Sequence, residues 1–222
     1  MKKIISLLLL LALLCSFISC GDKNREYDEN EVKLAAEELI RSSAELNRIF
    51  WGEGIGYIDD ASFSVGYYYP ADMFSLYDYG IETVDDLKEK TKKVFSQAYS
   101  QNIFSTVLSS LTDGDGIYAF ARYYQKYSDA EYKEPECIMV YSKALILLND
   151  EVIYNYDTLQ VIGSKKEIVY VTLTVDVRRD EKIQTRTLKV GLIEEENGWR
   201  IDTPTYMSYV ENNDYEDLQD KK

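Results

Sequence analysis

Glu167-Ile168-Val169-Tyr170-Val171-Thr172-Leu173-Thr174-Val175-Asp176-Val177 sets an apolar residue at every second position from Val169 to Val177, the period of a strand with one face buried. The stretch ends in Arg178-Arg179-Asp180-Glu181-Lys182, a charged hairpin tip, and Ile183 to Glu194 predicts the antiparallel return. Glu196-Asn197-Gly198 then turns the chain into Trp199-Arg200-Ile201-Asp202, because Asn-Gly is a strong local turn signal. Upstream, Ile117 to Tyr124, Cys137 to Tyr141 and Val152 to Tyr156 are rich in β-branched and aromatic residues and read as further strands. Everything after Ile117 is thus mainly strand.

The first half follows a different period. From Glu31 to Phe50, Val32, Ala35, Ala36, Leu39, Ser43, Leu46 and Phe50 recur at steps of three and four, which predicts a long amphipathic helix. Asp28 and Glu31 have capping-box spacing at its start, and Gly52-Glu53-Gly54-Ile55-Gly56 stops it. That glycine run follows a helix, whereas dinucleotide and phosphate loops follow a strand and open a helix, so no nucleotide is expected there. Tyr57 to Gly80, including Tyr67-Tyr68-Tyr69-Pro70, reads as an irregular connection with one short strand. Thr83 is the expected N-cap of a second helix, with Asp85 and Asp86 in its first turn. Its apolar stripe is Leu87, Thr91, Val94, Phe95 and Ala98, and a further short helix follows Ser100 through Leu111. Asp113-Gly114-Asp115-Gly116 lacks the later acidic ligands of a calcium loop and reads as a plain turn. The fold class is α+β, with N-terminal helices packed on a curved antiparallel sheet.

Composition narrows the chemistry. The 222 residues are 45% hydrophobic and 29% charged, enough for a packed domain without disulfides or a metal. With no histidine in the chain, Ser-His-Asp and Cys-His catalysis and imidazole-ligated zinc are excluded. No cofactor or metal site is implied. Cys137 stands in the apolar run Cys137-Ile138-Met139-Val140-Tyr141 and reads as a buried small hydrophobe rather than a nucleophile.

Lys2 and Lys3 precede an apolar run from Ile4 to Ile18, followed by Ser19-Cys20-Gly21 and a polar stretch. The run is shorter than the ~20 residues a transmembrane helix needs and has the layout of a signal peptide. Phe17-Ile18-Ser19-Cys20 resembles a bacterial lipobox, with Phe17 in place of the usual aliphatic residue. The resemblance implies cleavage after residue 19, acylation of Cys20 with chains such as palmitate, and membrane anchoring on the exported side. The expected organisation is a signal peptide over 1–19, a tether over 20–30, one α+β domain over 31–210 and an acidic tail over 211–222. Loss of Lys2 and Lys3 takes the formal charge from -14 to -16. Such a domain disfavours nucleic acid and anionic lipid and favours cationic partners.

The order of a long helix, two shorter helices and a sheet ending in Gly198-Trp199-Arg200-Ile201-Asp202 resembles the NTF2-like, or cystatin-like, α+β cone over residues 31–202. That resemblance implies a sheet wrapped round the long helix, a scaffold that serves isomerases, dehydratases and non-catalytic binding modules. Gly52-Gly54-Gly56 at a helix end, the Tyr-rich segment before Thr83, Asp86-Leu87-Lys88-Glu89-Lys90 leading to Val94-Phe95-Ser96, and Trp199-Arg200-Ile201-Asp202 also resemble the IseA-like inhibitors of DL-endopeptidases. This implies binding to a cell-wall hydrolase or another envelope protein, without catalysis. Twenty tyrosines supply amphipathic contact surface, and Tyr67, Tyr68 and Tyr69 beside Pro70 are the candidate binding residues. The alternative is a small-ligand-binding or isomerase/hydratase-like protein using the cone pocket, with an Asp or Glu as base and a Tyr as oxyanion donor. The carboxylate nearest to standing in an apolar strand face is Asp176. Trp199 is expected to anchor the last hairpin, facing the core with Ile201.

Overall fold

The computed structural model describes residues 26–113, 116–128, 136–144, 146, 150–208 and 210, with side chains throughout except at 111–113 and 116–119. The expected signal segment over 1–19, Cys20, Gly114 and Asp115 of the expected turn, and the expected tail over 211–222 lie outside the described residues. Helices α1 (Glu29–Trp51), α2 (Met73–Tyr79), α3 (Val84–Val94) and α4 (Gln97–Val107) occupy the first half. Strands β1 (Tyr68–Pro70), β2 (Leu111–Asp113), β3 (Gly116–Ala119), β4 (Tyr123–Lys126), β5 (Cys137–Tyr141), β6 (Glu151–Lys165), β7 (Ile168–Arg179), β8 (Lys182–Glu195) and β9 (Gly198–Ile201) make the rest, an α+β arrangement.

The expected alternation decides the main sheet. Val169, Val171, Leu173, Val175 and Val177 are all buried on one face of β7. In register, Val169, Val171 and Leu173 lie opposite Leu192, Val190 and Leu188 of β8, so the apolar faces of the two strands coincide. The meander β6-β7-β8-β9 turns on two-residue loops, with Lys166 (φ 58°) and Asp180 (φ 53°) left-handed at the first two. Strand β6 is far longer than Val152–Tyr156. Its pairing with β7 slips between Asn155 and Gln160 and again between Val161 and Gly163, and such bulges bend a strand. Helix α1 packs on this sheet through β6 and β9. Its buried stripe of Val32, Ala36, Leu39, Ile40, Leu46 and Phe50 joins Val169, Val171, Val190 and Ile201 in one core.

Trp199 and Ile201 are both buried and share a face of β9. The indole Nε1 donates to Glu31 Oε1 at 3.0 Å. Asp28 caps α1 by accepting from the Asn30 and Glu31 amides at 2.8 and 3.2 Å, while Glu31 reaches Trp199, so the spacing that suggested a capping box serves a tertiary bond instead.

Five expectations need correction. Residues 57–80 carry β1 and a short 3-10 turn at Ala61–Phe63, but also helix α2, with Asp72 as N-cap (Ser75 N to Asp72 Oδ2, 2.9 Å) and Gly80 as left-handed C-cap at φ 62°. The second helix ends at Val94 rather than running through Ala98. Phe95 is extended because it bridges Ile201 of β9, and Ser96 N donates to Ile201 O at 2.8 Å. Ser96 then caps α4, accepting from Tyr99 N at 3.0 Å, and its hydroxyl donates to Asp202. Leu111 opens β2 rather than closing a helix. The strand expected over 117–124 divides into β3 and β4, because Ala121 N and Arg122 N turn back to Ser110 Oγ (3.1 Å) and Val107 O (2.7 Å). Finally, the strands do not form one sheet: β1-β5-β4 and β2-β3 pair apart from the meander.

Candidate functional site

Strand β1 joins the edge of β5 with Tyr68 opposite Tyr141, Tyr69 opposite Val140 and Pro70 opposite Met139. Proline tolerates an edge because it has no amide to donate. Neighbouring side chains on a strand point to opposite faces, so Tyr68 and Tyr69, consecutive in β1, separate. Tyr68 lies among Tyr124 (4.8 Å between ring centroids), Tyr141 (5.1 Å) and Phe120 (6.5 Å), and its hydroxyl donates to Ala121 O at 2.6 Å. Burial pushes its pKa up, and the neighbouring tyrosines add to the shift. Tyr67 stands at the rim of this cluster, 52% exposed, 6.5 Å from Tyr141 and with Lys143 Nζ 3.4 Å from its ring centroid. Tyr69 points away to Tyr57, 5.3 Å off. Tyr67 and Tyr68 therefore belong to one aromatic surface and Tyr69 to another.

Beside this cluster, Arg122 and Tyr123, which lead into β4, close the end of α1. Arg122 is buried, donating Nη1 to Phe50 O at 2.8 Å, Nη2 to Gly52 O at 2.5 Å and Nε to the Tyr123 hydroxyl at 3.0 Å. The Tyr123 hydroxyl donates to Ile49 O at 2.7 Å and accepts from Ile55 N at 3.1 Å. A cation at a helix C-terminus meets carbonyls that have no partner inside the helix. The glycine run follows from this: Gly54 has φ 82°, and a Cβ there would fall 2.4 Å from Arg122 Nη2 and 2.5 Å from the Tyr123 hydroxyl. It is a slot for a guanidinium, not a phosphate loop.

A second polar seam crosses the interior between α1 and the sheet. Asn47 Nδ2 donates to Thr205 Oγ1 at 2.9 Å, which donates to Ser43 Oγ at 2.7 Å, and Tyr154 donates to Thr205 O at 3.0 Å. Burial pushes the Tyr154 phenol up to about 12. No carboxylate joins this seam among the described residues. Asp176 lies on the face of β7 opposite Val175 and Val177, bonded by Thr185 Oγ1 at 2.6 Å and Asn155 Nδ2 at 3.2 Å. Those bonds hold its pKa below the ordinary carboxylate range, which suits a fixed anion and not a base in an apolar pocket. Asp150 is shielded but gripped by Arg179 through Nε (2.6 Å) and Nη2 (2.9 Å).

Cys137 is half-buried, its sulfur 3.6 Å from Met139 Sδ. Among the described residues no three Cys, Asp or Glu side chains converge where an ion would sit, and no helix is long and apolar enough to cross a membrane. A shallow cavity of about 560 Å³ opens between α3, α4 and β4, with Lys88, Lys92 and Gln101 beside Tyr124 and Tyr127. Lys88 and Lys92 pair with Asp85 and Glu89 at 2.8 and 2.7 Å. No protein-family description, curated protein or solved structure matches the chain.

Two groups escaped the sequence reading. Phe120 and Tyr141 complete the aromatic floor, and their roles depend on strand pairing across distant segments. The outward residues of α2, Met73, Phe74 and Tyr77, were legible in principle: Asp72 three residues before Ser75, and Gly80 beyond, are start and stop signals of a short helix.

Proposed function

We propose that the chain is an exported bacterial lipoprotein, anchored through acyl chains on Cys20, whose domain binds a protein or peptide of the cell envelope and performs no turnover. The observation that carries this reading is the aromatic surface of Tyr67, Tyr68, Phe120, Tyr124 and Tyr141, assembled on a sheet of its own and open at Tyr67 and Phe120. Tyrosine is enriched where proteins meet, since its ring buries area and its hydroxyl keeps a polar contact. We read α1 on the β6–β9 meander as an NTF2-like cone. Its interior is occupied by side chains of α1 and β7, and Tyr154, at the seam between them, donates to Thr205 O with no carboxylate in that seam among the described residues. This favours binding over proton abstraction. Inhibition of a peptidoglycan hydrolase is the sharpest form of the proposal.

The test is affinity capture from envelope extract with residues 21–222, a chain that keeps every described core residue, from Val32 to Ile201. The retained protein is identified and, if it is a hydrolase, assayed on peptidoglycan with and without the domain. A defined protein retained by the wild type and lost with Tyr67→Ala supports the reading. Retention of no protein, with a small molecule co-purifying or being converted, overturns it in favour of the cavity.

A further inference from the structure

We propose that the outward face of α2 docks a basic, amphipathic polypeptide segment, one carrying Lys or Arg beside apolar side chains. The proposal rests on the reading of the domain as a polypeptide binder and names the chemistry of the partner.

Helix α2 turns apolar groups both ways. Leu76 and Tyr79 pack on the core, and Ile81, buried just beyond the helix, returns its amide to Leu76 O at 3.1 Å. Met73, Phe74 and Tyr77 remain 77%, 81% and 85% exposed. With exposed Asp78 they fall at i, i+1, i+4 and i+5, which is one stripe of a helix. Large apolar side chains concentrated on an outward face mark an interaction site.

The face is also held in place. Asp72 N donates to Gly56 O at 2.8 Å, Ala71 N to Ile138 O at 2.8 Å and Ile58 N to Pro70 O at 2.9 Å. At Gly56 the Ser75 hydroxyl sits 2.6 Å from where a Cβ would be, so the glycine turn and α2 are in close contact. A surface fixed before binding loses little entropy on association.

Charge selects the occupant. From Ile49 to Leu87 the chain has eight Asp or Glu and no Lys or Arg. Asp60, Asp72 and Asp86 serve as local caps, and Asp85 pairs with Lys88. Glu53, Asp59, Asp78 and Glu82 are exposed and have no ion pair among the described residues. Among the described residues, Lys90 and Lys143 reach the region from elsewhere and are engaged, Lys90 with Tyr79 O and Glu45, Lys143 over the Tyr67 ring. A second copy would bring acid against acid, and Asp78 within the stripe opposes burial in lipid. A cationic segment meets both the rings and the carboxylates.

The experiment measures binding of residues 21–222 to a fluorescent helical peptide with a leucine face and a lysine face, about 18 residues long. A second peptide has Glu in place of Lys, and zwitterionic vesicles and sedimentation of the domain alone are run alongside. The Leu/Lys peptide is expected to bind, to weaken about tenfold with Phe74→Ser/Tyr77→Ser, and to lose affinity as salt rises. Asp78→Lys should weaken the Leu/Lys peptide and strengthen the Leu/Glu one. These positions are solvent-exposed, so unchanged thermal midpoints identify folded variants. Indifference of the peptide to both substitutions, or equal binding of the Glu peptide, overturns the proposal. So does vesicle binding or self-association that Phe74→Ser/Tyr77→Ser abolishes. If the peptide fails while an envelope protein is still captured in a Tyr67-dependent way, this proposal falls and the binding reading stands; if both fail, both fall.

Discussion

Arg122 ends the long helix from a distance of some seventy residues in sequence, and that makes it the least legible important residue of the fold. In Phe120-Ala121-Arg122-Tyr123 an arginine reads as the outward residue of a strand, whereas it is buried against Phe50 O and Gly52 O. The glycines were legible as a helix stop, but the reason for Gly54 was not, because the atoms filling its Cβ position belong to Arg122 and Tyr123, far along the sequence. Gly54→Ala should cost about 2 kcal/mol or more, from the left-handed backbone and from displacement of the guanidinium, read as a lowered urea midpoint. Tyr154 supplies a prediction in pH. Its folded value near 12 lies above the ordinary 10.0, so its contribution to stability is complete below pH 10 and is lost as the pH rises toward 12. Urea midpoints at about pH 9 and about pH 11.5 should therefore fall further in the wild type than in Tyr154→Phe, which has no phenol proton to lose. An equal fall would show that the Tyr154 proton does not support the fold. Part of the loss remains in the variant, since burial also raises Tyr99 and Tyr123.

Elements with one strong period were legible and those set by tertiary pairing were not. The alternation from Val169 to Val177 and the stripe from Val32 to Phe50 gave β7 and α1, because burial on one face leaves a period in the sequence. The break at Phe95-Ser96 left no such trace. Phe95 continues the helical stripe but is drawn into an extended bridge by Ile201, a contact with a strand about a hundred residues later. Trp199 was legible because Asn197-Gly198 fixes the turn before it. Trp199→Ala should cost ~3–5 kcal/mol, the range for removing a large buried aromatic, with the Glu31 carboxylate also losing its indole donor. Unchanged denaturant midpoints would contradict that role. The aromatic candidates were half legible: the Tyr67-Tyr68-Tyr69 run marked the region, while the separation of Tyr69 from the other two required the pairing of β1 with β5.

At the scale of the whole molecule, the sequence that carries Cys20 precedes the N-terminus of α1, and the glycine turn leading to β1 and α2 follows its C-terminus. A helix of 23 residues is about 34 Å long at 1.5 Å per residue, and Arg122 and Tyr123, which adjoin the aromatic surface, meet it at its C-terminal end, at Ile49, Phe50 and Gly52. Labelling cells with a fatty acid analogue should mark the wild type and not Cys20→Ala, and equal labelling of both would refute the anchor. The central claim is that the exported domain engages an envelope protein through the surface around Tyr67. The most direct measurement replaces Tyr67 with a photo-crosslinking phenylalanine in intact cells, with Ile183, exposed on a different sheet, as the control position. The account predicts one defined protein adduct from position 67 and none from position 183; no adduct from position 67, or the same adducts from both, would contradict it.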